Sequence, residues 1–437
     1  MNLEFFIAKR VAANTRNSFS GKIMRIAIVA IMISMAVMII ATALVSGFKK
    51  EISDKIFGFW GHIHINHYMV DNSIESIPIS MDQDFYRGGQ EGIVPLRDVD
   101  RIPYYKEYNL FGNVIETETL TKGGIRHVQV FANKAGIIKT DSQLEGIVLK
   151  GIGKDYDWDF LQKYLVDGDT LNLHATDPTR SILISESTSK RLKVGLDDTF
   201  DIYFVEDGQQ IIRRFKITGV YKTGLEEYDK KFALVDIRQI QKLNSWAEDE
   251  VSGFEVFIDD IRDLDIMGDF VYYTYIGQDL YSSTIRELYP GIFGWLELQD
   301  VNERLIVALM IIVSVINMTT ALMILILERT NMIGTLKSLG IRNWSVRKIF
   351  LYHATYIIGF GLVLGNLLGI GICLLQHQFG LITLPEESYY VSVAPVNINL
   401  VTIALLNIGT LVITVLVLII PSYLVTRIEP VKAIRFK

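Results

Sequence analysis

The chain has 437 residues, half of them hydrophobic, with a formal net charge of −6 and a single cysteine. Together with a positive mean hydropathy, this points to a membrane protein and excludes a disulfide scaffold or a basic nucleic-acid binder.

The apolar residues gather in four blocks, 26–45, 305–327, 349–379 and 400–426, each at least twenty residues long without Asp, Glu, Lys or Arg. At 1.5 Å per residue each block can cross a hydrocarbon core about 30 Å thick. The expected fold is an α-helical membrane protein with four transmembrane helices, plus a large mixed α/β extracytoplasmic domain between helices one and two. Short flanks set the orientation. Lys9, Arg10, Arg16, Lys22 and Arg25 precede helix one, Arg329, Lys337, Arg342, Arg347 and Lys348 separate helices two and three, and Arg427, Lys432, Arg435 and Lys437 close the chain. Glu386 and Glu387 alone carry charge between helices three and four. Both termini are therefore expected in the cytoplasm. Residues 46–304 then lie outside, with about fifteen more acids than bases.

Residues 1–22 place Leu3, Phe6, Ile7 and Val11 at helical spacing with bases opposite, the pattern of a cytoplasmic interfacial helix. Transmembrane helix 1 is assigned to 23–47. Ala41-Thr42-Ala43 has the form of a signal-peptidase site, but the apolar run exceeds a signal core, so an uncleaved anchor is expected. Met32, Met35, Met38 and Ile39 form a soft stripe on this helix that suits either packing or contact with an acyl chain. Phe48, Ile52 and Ile56 extend the helical pattern until Gly58 and Gly61.

The outer domain, 48–303, opens with the alternating strand Gly61-His62-Ile63-His64-Ile65-Asn66. His62, His64 and His67 invite a metal, but no further ligand lies at usable spacing, so a solvated strand face is the expectation. Strand patterns follow at 112–118, 128–131, 181–184, 199–205, 213–221 and 251–258, with helices at 185–192 and 235–243. Asp207-Gly208-Gln209-Gln210 separates two alternating runs as a hairpin turn.

Transmembrane helix 2 (304–327) carries Ser314, Asn317, Thr319 and Thr320, which at membrane depth are expected to bond across to other helices. The cytoplasmic loop 328–348 holds a short amphipathic segment, Met332 to Leu339. Transmembrane helix 3 (349–379) carries Gly361, Gly365 and Gly369 at i+4 spacing, a smooth groove into which another backbone can settle. Asn366 and Gln376 read as further cross-helix links. A periplasmic loop (380–399), transmembrane helix 4 (400–426) with Pro421 near its inner end, and a cytoplasmic tail (427–437) complete the layout. No phosphate loop, G-x-S-x-G or H-E-x-x-H occurs, and the spans lack Asp, Glu, Lys and Arg. The chain is expected not to be an enzyme; work on a substrate needs an energy source in a partner.

Several stretches resemble the permease subunits of lipoprotein-releasing (Lol-type) ABC transporters, a group that includes macrolide-exporter and cell-division permeases. They are Trp295-Leu296-Glu297-Leu298-Gln299-Asp300-Val301-Asn302, Ile316-Asn317-Met318, Leu325-Ile326-Leu327-Glu328-Arg329-Thr330-Asn331-Met332-Ile333-Gly334, Leu336-Lys337-Ser338-Leu339-Gly340, Gly365-Asn366, Tyr389-Tyr390-Val391-Ser392 and Pro430-Val431-Lys432-Ala433-Ile434-Arg435-Phe436. Outer-domain matches are Tyr221-Lys222-Thr223-Gly224 and Glu227-Tyr228-Asp229. The resemblance implies a two-part periplasmic domain, its β-rich inserted part at roughly 140–230, in a multi-pass protein of the bacterial inner membrane. It implies a second permease, identical or related, and a cytoplasmic ABC ATPase dimer that binds ATP and Mg, with no cofactor in this chain. Glu328, Met332, Ile333, Leu336, Lys337 and Leu339 would form the ATPase-coupling helix, the apolar ones as anchors in an ATPase groove. The substrate would be lipoproteins lifted from the outer leaflet and passed to a periplasmic carrier, with Met32, Met35, Met38 and Ile39 on the cavity wall. One departure stands out: the hairpin at Asp207–Gln210 is short and lacks a proline-rich, apolar tip for carrier docking. Rival readings are a peptide- or macrolide-exporting permease, which usually carries a fused ATPase, and a mechanotransmitting regulator of cell-wall hydrolases, which needs a much smaller outer domain.

Overall fold

The computed structural model describes residues 4, 6–7, 19–69, 77–88, 94–110, 113–139, 144–206 and 208–428. The expected interfacial helix at 1–22 and the closing 430–436 motif lie largely or wholly outside these residues. The chain divides into two compact units. One comprises Met1–Lys50, Gly294–Thr383 and Val393–Lys437; the other comprises Glu51–Phe293 and Leu384–Ser392.

The first unit contains helices long and apolar enough to cross a membrane. They are α1 (Phe19–Trp60), α2 (Pro290–Glu328), α4 (Asn343–Phe379) and α5 (Leu400–Ser422, continued by a 3₁₀ turn, Tyr423–Arg427), with the short α3 (Thr330–Ser338) between α2 and α4. All four expected spans are present. α2 starts earlier than the apolar run because Pro290 is tolerated at its first turn and residues 295–304 are helix-compatible, without Gly or Pro.

The glycine groove of α4 receives α1. A Cβ on Gly361 would lie 2.9 Å from Ile31 Cβ, one on Gly365 2.6 Å from Met35 Cβ, and one on Gly369 3.1 Å from Ile39 Cβ. Hydrogen atoms at these three positions are what let the helices touch. Asn366 and Asn407 join α4 to α5 through a reciprocal amide pair, 2.7 and 3.0 Å, and each also donates to the carbonyl four residues back. Gln376 serves a loop rather than another helix: it donates to the carbonyls of Ile382 and Ala394 and accepts from Ile382 N.

The second unit is built on a ten-stranded mixed sheet. In chain order its strands are β1 (Ile63–His67), β2 (Ile125–Lys139), β3 (Leu144–Ile152), β4 (Leu165–Gly168), β5 (Ser181–Ser185), β6 (Thr199–Glu206), β7 (Gln209–Tyr221), β8 (Phe232–Asp236), β9 (Gly253–Ile258) and β10 (Leu280–Thr284). They pair in the order β10-β1-β9-β2-β3-β8-β5-β7-β4, and β6 bridges β7 and β2. Strands from 140–230 therefore belong to the same sheet as β1, β2 and β9 rather than to a separate one. A two-stranded ribbon, Pro103–Leu110 with Asn113–Leu120, pairs on its own.

The histidine strand departs from expectation. β1 lies between β9 and β10, and His62 and His64 are both buried, so the face is not solvated. His62 stacks on Phe57 with ring centroids 4.5 Å apart, and His64 Nε2 lies 2.5 Å from Trp60 O. Burial pushes the His62 imidazole down to about 3 and that of His64 to about 4, so both are neutral near pH 7. Among the described residues no three metal-ligating side chains converge.

At the centre of the sheet Lys150 and Glu255, both fully buried, form an ion pair at 2.7 Å. Lys150 also donates to Phe59 O and lies over the Phe59 and Trp60 rings at 4.9 and 4.7 Å. Glu255 accepts from Gln129 at 2.8 Å. Removing one member strands a buried charge, whereas removing both does not. Lys150→Met should therefore cost about 3–5 kcal/mol in denaturant unfolding of the full chain, and Lys150→Met with Glu255→Leu should recover most of it.

Candidate functional site

Two clusters tie separate chain segments together, each within its own unit. The first surrounds α3. Glycine ends this helix: Gly340 adopts φ +87°, and the amides of Gly340 and Ile341 bond the carbonyls of Lys337 and Leu336 at 3.0 and 3.2 Å. Ile333 is fully buried, and Met332 and Leu336 pack half-buried beside it against the membrane-helix core. Lys337 reaches the end of the fourth long helix, donating to the carbonyls of Val425 (2.8 Å), Thr426 (3.2 Å) and Ile428 (2.9 Å). Burial there holds its ammonium below the usual lysine range. Arg347, from the first turns of α4, meets the same helix end. It donates to Ile419 O at 2.9 Å and Ser422 Oγ at 3.0 Å, and its guanidinium sits between the rings of Trp344 (4.9 Å) and Tyr423 (5.6 Å). Pro421 cannot donate within α5, so the helix end is irregular and rich in available carbonyls. Cations at a helix C-terminus answer that need.

The structure places the amphipathic segment with one side turned to its own chain. Its apolar side, Met332, Ile333 and Leu336, faces its own chain, so in this conformation those side chains are not free to anchor in a partner's groove. Lys337 is likewise occupied. The outward face consists of Asn331, Thr335 and Ser338, with Leu339 exposed beside them and Glu328 exposed just before the helix. Helical period alone cannot say which side of such a segment meets its own protein.

The stripe on α1 is also enclosed. Met35, Met38 and Ile39 are buried, and Met35 and Ile39 lie against the α4 groove; Met32 is half-buried. The exposed apolar face of α1 is Ile26, Val29 and Ile33. Gly361, Gly365 and Gly369 are brought together with these methionines. Asn317 is not brought to a partner, and among the described residues it makes no hydrogen bond. Thr320 bonds Ile316 O of its own helix, and Ser314 Oγ is buried without a partner in the described residues. Among the described residues, Ser314, Asn317, Thr319 and Thr320 thus make no cross-helix bond.

The second cluster lies in the α/β unit and joins the motifs at 221–229 and 389–392. Asp229 accepts from the amides of Thr223 and Gly224, both at 3.1 Å, and from Thr223 Oγ1 at 2.6 Å. Its carbonyl receives Ser185 Oγ and Thr188 Oγ1. This fixes Gly224 at φ +79°, where a Cβ would come within 2.5 Å of Glu386 Oε1. Against that tight turn Lys222 pairs with Glu386 at 2.8 Å, and Lys55 donates to Tyr390 O at 3.1 Å. The segment Leu384–Ser392, which follows α4 in the chain, is thereby clasped to the sheet. Neither cluster assembles a nucleophile with a base; both are mechanical joints.

The same unit carries an apolar sheet surface. The β6–β7 hairpin pairs eight residues on each side, from Glu206↔Gln209 to Thr199↔Lys216. It is longer than the sequence suggested, although its tip is polar. Ile137, Tyr203 and Ile212 stand side by side across β2, β6 and β7, with Val205 two residues further along β6 on the same face. Ile137, Val205 and Ile212 are exposed, and Leu144 beside them is 70% exposed.

With the geometry in place, comparison with known proteins decides the family. A model of the MacB-like periplasmic core domain matches residues 25–265, and one of the FtsX-like permease C-terminal region matches 304–430. The chain belongs to the Lol-type ABC permeases of the MacB/FtsX group. It is similar to the lipoprotein-releasing system transmembrane protein LolC of Xylella fastidiosa (strain 9a5c), 22% identical over all of this chain and 98% of that one. LolC of Neisseria meningitidis is 20% identical over the full length of both. LolE of Haemophilus influenzae is 18% identical over 99% of each. This Lol-type chain is therefore a membrane protein with a periplasmic domain, and its family membership implies an ABC transporter with an ATPase and a second permease subunit.

Asp229 gives the clasp a pH signature. Burial pushes its carboxyl up from 3.8 to about 6. The folded state holds this proton more tightly than the unfolded chain, so the associated stability is complete below the unfolded value and is lost as pH rises through about 6. The thermal midpoint of the wild-type chain should fall across that window relative to Asp229→Asn; parallel curves for the two proteins would remove Asp229 as the cause.

Proposed function

We propose that this chain is the permease half of a transporter that extracts lipoproteins from the outer leaflet of the bacterial inner membrane and hands them to a periplasmic carrier. Both termini and α3 face the cytoplasm in this reading. ATP and Mg are bound by a separate ATPase dimer, and this chain is not itself an enzyme. The observation that carries the reading is the joint at α3. A short helix packed through Ile333 and tethered through Lys337 to the end of the fourth long helix transmits a push from outside the bilayer to the spans. Full-length similarity to LolC and LolE proteins supports the cargo.

The cargo imposes a constraint. Moving acyl chains into water costs about 0.8 kcal/mol per CH₂, so three chains of about fifteen carbons cost on the order of 35 kcal/mol. The lipid must pass between apolar surfaces. The exposed face Ile26, Val29 and Ile33 of α1 suits the wall; Met32, Met35, Met38 and Ile39 join it only when α1 parts from the α4 groove. The row of Ile137, Leu144, Val205 and Ile212 suits the carrier, taking the role expected of a hairpin tip.

The ATPase docks on the outward face of α3. Thr335→Arg or Ser338→Arg should leave folding intact, because both positions are exposed, and should reduce capture of the cognate ATPase at least tenfold in co-purification. Mass spectrometry of wild-type complexes should find acylated protein. An intact complex that carries only free peptide or a macrolide would favour the exporter reading instead.

A further inference from the structure

We infer that a cleft in the α/β unit, between the last turns of α1 and the short helix Trp158–Lys163, binds a phosphoethanolamine group. Its phosphate meets His62 and Arg126, and its ammonium meets Glu51 and Asp159. The inference does not rest on the cargo reading above.

The cleft measures about 440 Å³. That is at the small end of the roughly 300–1,000 Å³ of small-ligand sites, so it suits a headgroup and not a set of acyl chains. Gly58 makes the cleft possible: a Cβ there would lie 2.0 Å from the Phe160 ring, so glycine lets that ring close against α1. The rings of Phe57, Phe160, Tyr164 and Phe257 form the apolar part of the lining. Two of them already hold cations of the chain, Lys55 over Tyr164 at 5.6 Å and Arg126 over Phe257 at 5.7 Å.

His62 supplies the observation that points to a ligand. It is 8% exposed, and its Nδ1 accepts from Ile258 N at 3.4 Å, which places the ring proton on Nε2. That N–H has no partner among the described residues, although the ring lines the cleft. A buried donor left unpaired is costly, so an acceptor is needed at this point. Arg126 lies near enough to disfavour protonation of the imidazole, and its contact with Asp157 is loose at 3.7 Å. A neutral N–H beside a guanidinium fits a phosphate oxygen.

The opposite charge lines the same cleft. Glu51 and Asp159 form no side-chain hydrogen bond or ion pair among the described residues. Asp54 and Asp259 add negative charge, the latter already accepting from Gly124 N at 3.0 Å. These acids repel a bare phosphate, while Arg126 and Lys163 repel a bare amine; a zwitterion satisfies both sets. A primary ammonium donates three hydrogen bonds to carboxylates, and a quaternary one donates none. α1 says where such a group is met. Glu51 follows the apolar block 26–45 on the same unbroken helix, six residues or about 9 Å further on, within a side chain's reach of lipid headgroups.

The test uses the full chain alone, without ATPase or lipoprotein, so failure of the cargo reading leaves it intact. Released from mixed nanodiscs and weighed by native mass spectrometry, the chain should retain phosphatidylethanolamine in preference to phosphatidylcholine. Arg126→Gln and Glu51→Gln should each reduce retention about tenfold, the loss of one charge-assisted hydrogen bond. His62→Phe, which keeps the ring stack on Phe57, should do the same. Unchanged thermal midpoints for Arg126→Gln and Glu51→Gln exclude misfolding as the cause. In a second arm, glycerophosphoethanolamine, inorganic phosphate and ethanolamine are titrated separately by calorimetry. Retention of the lipid without binding of glycerophosphoethanolamine supports the site with a bilayer lipid as its source; binding of both supports it with the headgroup alone as the determinant. Equal retention of the two lipids, retention unchanged in Arg126→Gln and Glu51→Gln, or binding of phosphate or ethanolamine as tight as that of glycerophosphoethanolamine would each overturn the inference.

Discussion

Carbonyl groups at two helix C-termini collect donors from distant parts of this chain. A helix leaves its last four carbonyls unpaired, and in an apolar setting each must find a donor. The end of α1 is met by Lys150 at Phe59 O and by His64 at Trp60 O. The end of the fourth long helix is met by Lys337 at three carbonyls and by Arg347 at a fourth. Hydrogen bonds from charged donors contribute about 1.5–3 kcal/mol each. The contacts of Lys150, Lys337 and Arg347 are of this kind, and each brings a distant part of the chain to a helix end.

The same need explains why the two motif-rich regions act as joints. Lys337 cannot leave the fourth helix end without exposing three carbonyls, so α3 and that end are tied together. Ile333 holds the opposite side of α3 in the apolar core. In the α/β unit, the turn fixed by Asp229 places Lys222 against Glu386, so the segment Leu384–Ser392 follows the sheet. Resemblance placed these motifs in one family; the contacts say what they do mechanically.

The spans, the α3 element and the glycine groove were legible in the sequence because length, charge and i+4 spacing are local properties. What sequence could not supply was direction. An amphipathic nine-residue helix has two candidate partners, its own protein or another, and period cannot choose between them; Met332, Ile333 and Leu336 turned inward. β1 alternates as a half-solvated strand would, yet it lies between two other strands with α1 ending beside it, so His62 and His64 are buried. Lys150 and Glu255 sit 105 positions apart in sequence, in strands that read as ordinary alternation. Asn407 is the lone amide of the twenty-three-residue α5, and that local signal marks a cross-helix bond.

Packing within the membrane-helix unit is uneven, and the unevenness has a direction. α1 and α4 are interlocked at three glycines, α4 and α5 are pinned by an amide pair and by Arg347, and α3 is tied to α5 by Lys337. α2 is joined to α1 by Lys49, which donates to Asp300 at 2.6 Å outside the apolar run; within that run its polar residues make no cross-helix bond among the described residues, and Leu305, Leu309, Ile312, Val313 and Ile316 stand exposed. Met318, Leu322 and Ile326 are buried in the apolar cluster of this unit. Apolar contacts slide at lower cost than hydrogen-bonded ones, because no donor is stranded on the way. Within the apolar run α2 therefore meets the other helices through apolar contacts alone, whereas α1, α4 and α5 are joined there by close glycine contacts and by hydrogen bonds.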